Sequence, residues 1–137
     1  SIRGAYITQR NSDHYGSLSP FMRAALLGGY TKEGKEWIEA LMEFSGENEK
    51  IVRDFFAENF PKVHFCRHRA GTLLWADFRE MGTEEEVYAW FQKAGVEPDL
   101  GSKYGEEGRG FLRLQIGMPK RELIYALERI KKAYVKE

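Results

Sequence analysis

The segment GSKYGEEGRGFLRLQIG (101–117) places a permanent cation, Arg113, between Leu112 and Leu114 in the middle of a short apolar run. Side chains alternate along a strand. Leu112, Leu114 and Ile116 therefore point to one face, and Phe111, Arg113 and Gln115 to the other. A guanidinium carries a planar fork of donors that matches a carboxylate through two parallel hydrogen bonds. The pattern fits either a cation on a solvated sheet face or an anion site. The glycine-rich stretch ahead of the strand would let backbone approach a ligand closely. Its glycines, Gly101, Gly105, Gly108 and Gly110, do not make a phosphate cradle. Such loops run from a strand into a helix N-terminus. This one runs into a strand and carries Glu106 and Glu107, which repel phosphate.

Other chemistry-bearing residues are weaker candidates. His64, Cys66 and His68 are metal-ligand types on one face of a strand. Two-residue steps along a strand cover about 6.6 Å, so the two histidines lie about 13 Å apart at the backbone. A single ion does not reach all three, which leaves a pair with an outside ligand or a solvent-facing edge strand; no metal site is assigned. His14 lies in a polar loop without a serine or carboxylate at triad spacing. Glu84, Glu85 and Glu86 form a first helical turn, where negative charge suits the helix dipole.

The elements that must position these residues follow from punctuation and period. GAYIT (4–8) reads as a short strand, and NSDHYGSLSP (11–20) as a loop. Ser19 then caps a short helix that has Pro20 at its first position and stops at Gly28-Gly29. From Lys32 to about Asn59 the apolar residues Trp37, Leu41, Phe44, Val52 and Phe55 recur at helical spacing. Gly46 marks where this long helix would bend or divide, and Pro61 ends it. KVHFCRH (62–68) and GTLLWADF (71–78) read as strands joined tightly at Arg69-Ala70. Thr83 and Glu86 form a capping-box pattern for a helix that stops at Gly95. VEPDL (96–100) is an edge-strand candidate, because Pro98 cannot donate to a ladder. GFLRLQIG (110–117) is a strand, and Pro119 opens a closing helix with the stripe Leu123, Leu127, Ile130, Tyr134. Trp75 shares a strand face with Asp77 and lies opposite Leu74. The order predicts an α/β (α+β) fold: a two-layer sandwich in which helices pack on one face of a small, mostly antiparallel sheet.

Composition narrows the function classes. The chain has 137 residues, one domain's worth, with 42% hydrophobic residues and 21 basic against 21 acidic side chains. Zero net charge argues against general nucleic-acid binding. No apolar run approaches the 18 residues of a membrane-spanning helix. One cysteine excludes an internal disulfide, and with no secretory pattern at the N-terminus the expectation is a cytoplasmic protein.

YGEEGRGFLRLQIGMP (104–119) resembles the C-terminal signature of pyridoxal-phosphate enzymes of the aminotransferase class I/II superfamily, on the branch of the cystathionine β-lyase-type carbon–sulfur lyases. GKEWIEALMEF (34–44) resembles that branch's long helix, GTLLWADFRE (71–80) its small-domain strand, and GAYIT the strand after the cofactor lysine. The resemblance implies that residues 1–30 are a remnant of the large-domain end and 31–137 the small C-terminal domain. It implies that Arg113 grips the α-carboxylate of an amino-acid substrate, fixing the bond to be broken perpendicular to the cofactor ring. Two positions depart from the family: Gln115 stands where Asn is usual, and Met118-Pro119-Lys120 where Cys-Pro-Arg is frequent. The Ser-Lys motif that carries the Schiff-base lysine would fall before Ser1, as would the cofactor's other partners. The expectation is a chain with no catalytic and no cofactor-binding residue of its own, inactive alone, holding no pyridoxal phosphate. It would belong with a missing large domain in a homodimer, or self-associate through the exposed surface. The carboxylate clamp is common to lyases and aminotransferases. A cofactor-free binding module derived from the family is the alternative.

Overall fold

In the computed structural model, residues 1–14 and 18–134 are described. The chain divides into two compact units, Ser1–Ala40 and Leu41–Glu137.

The first unit is helical. Helix α1 (Ile2–Ser12) starts at Ser1, whose hydroxyl oxygen accepts the Gly4 N–H at 3.2 Å. The expected strand GAYIT lies inside this helix, so that expectation is corrected. A strand must hand its backbone donors and acceptors to a neighbour, whereas a helix satisfies them within itself. Among the described residues of this unit there is no strand to pair with. Helix α2 (Pro20–Gly29) follows the sequence rules: Ser19 accepts the Met22 N–H at 3.2 Å and proline opens the helix. Neither α1 nor α2 buries a residue.

Helix α3 (Lys32–Asn59) runs past Gly46 without a break, and Ser45, Asn48, Val52 and Phe56 are buried along it. In the second unit the chain forms β1 (His64–Phe65), β2 (Leu73–Asp77), helix α4 (Glu84–Lys93), β3 (Asp99–Leu100), β4 (Phe111–Gln115) and helix α5 (Lys120–Ala133). The sheet order is β1-β2-β4-β3, antiparallel throughout. The predicted two-layer α/β architecture is the one observed.

One face of the sheet is core. Leu74, Ala76 and Leu112 are at most 1% exposed and meet Val52 and Phe56 of α3, Val87 and Phe91 of α4, and Leu123, Leu127 and Ile130 of α5 in one cluster. The alternation read from 111–116 holds: Leu112 and Ile116 are buried while Gln115 is exposed. Helix α4 carries the full capping box, with Thr83 accepting from Glu86 N–H and Glu86 accepting from Thr83 N–H. Asn48 is fully buried and donates to the carbonyls of Ile116 and Met118 at 2.7 and 2.8 Å, which fastens the end of β4 to α3.

The link between β1 and β2 is longer than the expected tight turn at Arg69-Ala70, since regular strand stops at Phe65 and resumes at Leu73. The reason is a side-chain tether. His68 Nδ1 sits 2.6 Å from Glu49 Oε2, and Arg53 bridges Glu49 to the Cys66 carbonyl, so this stretch is drawn to α3.

Candidate functional site

The face of the sheet away from the helices carries the polar chemistry. Register places Trp75, Arg113 and Asp99 side by side across β2, β4 and β3. Arg113 Nε and Nη2 both donate to Asp99 Oδ2, at 3.0 and 2.5 Å. Asp99 Oδ1 faces Lys103 Nζ at 3.7 Å. The Tyr104 ring covers the guanidinium with its centroid 4.9 Å from Cζ, a cation–π contact. The same ring meets Trp75 edge-on at 5.6 Å, and Trp75 stacks on Phe111 at 5.8 Å. Arg113 is thus fixed on two sides, by Asp99 and by Tyr104, which itself packs on the cross-strand Trp75, and its side chain remains about a third exposed.

Donor accounting shows what this arrangement leaves open. A guanidinium has five N–H donors. Two go to a single oxygen of Asp99, and among the described residues Nη1 and the second hydrogen of Nη2 have no partner. That end-on edge is the geometry a carboxylate takes with two parallel hydrogen bonds. Arg79, the other arginine over this face, differs. Its Nε and Nη2 engage both oxygens of Asp77, at 2.9 and 2.6 Å, and its guanidinium lies over Phe111. Arg79 already has a complete carboxylate partner, and Arg113 does not.

Electrostatics follow the pairing. Hydrogen bonds from Arg113 hold the Asp99 carboxyl below its ordinary value against a smaller opposing effect of burial, with further help from the Arg113 and Lys103 charges. Asp77 is lowered chiefly by the hydrogen bond from Arg79. Both carboxylates are therefore anions at neutral pH, and each fixes its arginine.

Of the remaining candidates, His64 lies on this face at the β1 edge, opposite Asp77, and none contacts Arg113. His64 is exposed near Glu80, Cys66 is a free exposed thiol, and His68 is committed to Glu49. Among the described residues no group of three His, Cys, Asp or Glu is placed to hold a metal. His14 is exposed, with a left-handed backbone at φ 57°. Sequence reasoning missed Asp99 and Tyr104 as neighbours of Arg113. The alternation of β4 and the edge character of VEPDL could have found Asp99, but not the fold of the loop that returns Tyr104 onto the sheet.

No family model matches the chain. It is similar to "Cystathionine beta-lyase PatB" of Bacillus subtilis, 34% identical over 129 residues, covering 91% of this chain and 32% of that protein. It is also similar to "Protein MalY" of Escherichia coli, 30% identical over 129 residues and covering 90% of this chain and 32% of the relative. Among solved structures it superposes on cystalysin from Treponema denticola, which contains a pyridoxal 5′-phosphate cofactor, with TM-score 0.75 and 28% identity over 85% of this chain and 30% of that one. A PLP-bound putative aminotransferase from Clostridium difficile 630 gives TM-score 0.74 at 30% identity, over 84% of this chain and 30% of that one. The chain spans about a third of the length of the curated relatives it matches.

Among the described residues, none has the setting that the lysine of such a cofactor needs. A Schiff-base lysine needs a sheltered, depressed-pKa amine. Every described lysine is exposed, and five of them, Lys32, Lys35, Lys50, Lys103 and Lys120, lie beside a carboxylate. The glycine-rich loop 101–110 presents Glu106 and Glu107 rather than a helix N-terminus. No step through the cofactor is derived from this chain. What the fold and these relatives show together is kinship over part of a longer protein: the chain is similar to the C-terminal region of pyridoxal-phosphate-dependent aminotransferases and cystathionine β-lyase-type carbon–sulfur lyases, and its fold is that of their small domain.

Proposed function

We propose that this chain supplies the α-carboxylate-binding arginine, Arg113, of a pyridoxal-phosphate-dependent carbon–sulfur lyase or aminotransferase acting on amino acids. The observation that carries the reading is the unpaired end-on edge of Arg113, held on the open sheet face by Asp99 at its other edge. Asp99 sets the plane of the guanidinium, and Tyr104 limits its swing. A carboxylate arriving at Nη1 and Nη2 meets a pre-oriented fork, so little side-chain entropy is left to lose. Binding there fixes one end of the amino acid, and orientation of the reacting bond follows from that anchor. The chemistry itself requires the cofactor and its lysine, which belong to the remainder of such a protein.

The test is a titration of the 137-residue chain with glycine, followed on the Arg113 Nε–Hε resonance by NMR, with glycinamide as the comparison. Glycine is expected to bind with a dissociation constant of about 1 mM, near −4 kcal/mol. Glycinamide, which lacks the carboxylate, and the Arg113→Ala chain are expected to show no saturable shift. Equal responses to glycine and glycinamide would contradict the role.

The same reading makes the chain inactive by itself and free of cofactor. Mixed with pyridoxal phosphate and treated with borohydride, it is expected to yield no stoichiometrically modified lysine by mass spectrometry. A single lysine carrying the reduced adduct would refute this. The apolar side chains exposed on α2 and after it, Phe21 at 87% and Tyr30 at 88%, favour association with the rest of such a protein or with a second copy. The chain is therefore expected to sediment as more than a monomer, and a monomer at high concentration would count against it.

A further inference from the structure

We propose that Glu84 is a positioning residue for the Arg113 site: its buried carboxylate pins the base of the glycine-rich loop that presents both neighbours of Arg113. The proposal rests on the carboxylate-binding reading of Arg113 and extends it to a residue 29 positions away in sequence.

Glu84 is the first residue of α4, where a carboxylate gains from the helix dipole without leaving the surface. Glu85, beside it, does so with a side chain 74% exposed. Glu84 instead is 6% exposed, a burial that the dipole does not require. Its Oε1 accepts the N–H of Ser102 at 3.2 Å and the N–H of Gly110 at 3.3 Å. One oxygen thereby ties together the two ends of the loop 101–110. Burial pushes the Glu84 carboxyl up, and the hydrogen bonds from Ser102 and Gly110 together with the nearby Arg109 charge more than offset it, so it stays ionised.

The loop is built to be closed. Its first half is a 3₁₀ turn over Gly101–Tyr104 and its second a shorter one over Glu106–Gly108. Gly101 and Gly108 approach so closely that a Cβ on either would lie 2.0 or 2.2 Å from the other's carbonyl oxygen. The stems of the loop are β3 and β4, which carry Asp99 and Arg113, and Tyr104 ends its first turn. Each group that touches Arg113 on its polar edge or its flat face is therefore attached to the segment that Glu84 holds. Releasing the base frees Tyr104 from the guanidinium and loosens the β3–β4 pairing that sets Asp99. The role is one of positioning, since Glu84 does not contact Arg113.

The test uses Glu84→Asp, which keeps the charge but is one methylene short of reaching both amides, in the whole 137-residue chain. Three quantities are read where the variant is fully folded: hydrogen exchange of the Ser102 and Gly110 amides, the Arg113 Nε–Hε resonance, and glycine affinity. A Tyr104→Leu chain supplies the resonance expected once the ring is gone. The expected result is faster exchange, an Arg113 resonance moved toward the Tyr104→Leu value, and glycine binding weakened about tenfold, the scale of a small misplacement. Faster exchange with an unmoved resonance and unchanged affinity would overturn the proposal, because Glu84 would then hold only the loop. If wild type does not bind glycine, the carboxylate reading of Arg113 fails on its own, and the resonance alone decides the proposal: moved supports it, unmoved overturns it. Should Glu84→Asp not fold, the isosteric Glu84→Gln, which loses the charge but not the length, is read the same way.

Discussion

Phe56→Ala is expected to lower the stability of the sheet-containing unit by about 3–5 kcal/mol, the usual cost of emptying an aromatic site in a packed core. Phe56 is fully buried and projects from α3 into the layer between helices and sheet. Its ring meets Phe55 at 5.4 Å, Phe65 at 5.5 Å, and Phe60 and Phe78 at 5.8 Å, three of these contacts close to edge-on. Those partners come from the helix and the residue after it, from β1 and from the residue after β2, so one side chain joins three parts of the unit. Domains of this size have about 5–15 kcal/mol in total, so the variant would sit near the folding threshold. Urea unfolding followed by tryptophan fluorescence measures the loss. A change below about 1 kcal/mol would mean that the ring is replaceable and the packing account is wrong.

Gly101→Ala is expected to cost about 3 kcal/mol or to open the loop, because its new methyl would overlap backbone rather than a side chain that could move aside. The Cβ would lie 2.0 Å from the Gly108 carbonyl oxygen and 2.8 Å from that of Phe111. The loop opens only by parting its two halves, which withdraws Tyr104 from Arg113. The informative contrast is Gly46→Ala in the exposed middle of α3, where a Cβ meets nothing within 4 Å. That change is expected to stabilise by roughly 0.5–1 kcal/mol, the difference in helix propensity. Paired unfolding curves check both. Equal effects from the two glycines would contradict the close approach at Gly101.

The contrast between these glycines also shows what was legible in the sequence. Local chemistry was readable: Ser19 and Thr83 as helix caps, Pro20 and Pro119 as helix starts, and the alternation that separates Leu112 from Arg113. Each is decided by residues within four positions of one another. The edge strand at Asp99–Leu100 was readable from Pro98 for the same reason. GAYIT was misread because a short apolar run suits helix or strand equally, and the choice belongs to its neighbours. Glu84 was assigned to the dipole alone, since nothing in its spacing announces amides 18 and 26 residues away. Asp99 and Tyr104 became partners of Arg113 only through strand register and loop closure. The arginine was visible in the sequence as a cation with two readings. The pairing that leaves one of its edges unmatched was not.

The central claim is that this unmatched edge receives the acid end of an amino acid. A crystal structure of the chain soaked in glycine tests it most directly. The account predicts the glycine carboxylate oxygens about 2.8 Å from Nη1 and Nη2 of Arg113, with Asp99 still bound at Nε. Glycine seated elsewhere, with only solvent at that edge of Arg113, would contradict it.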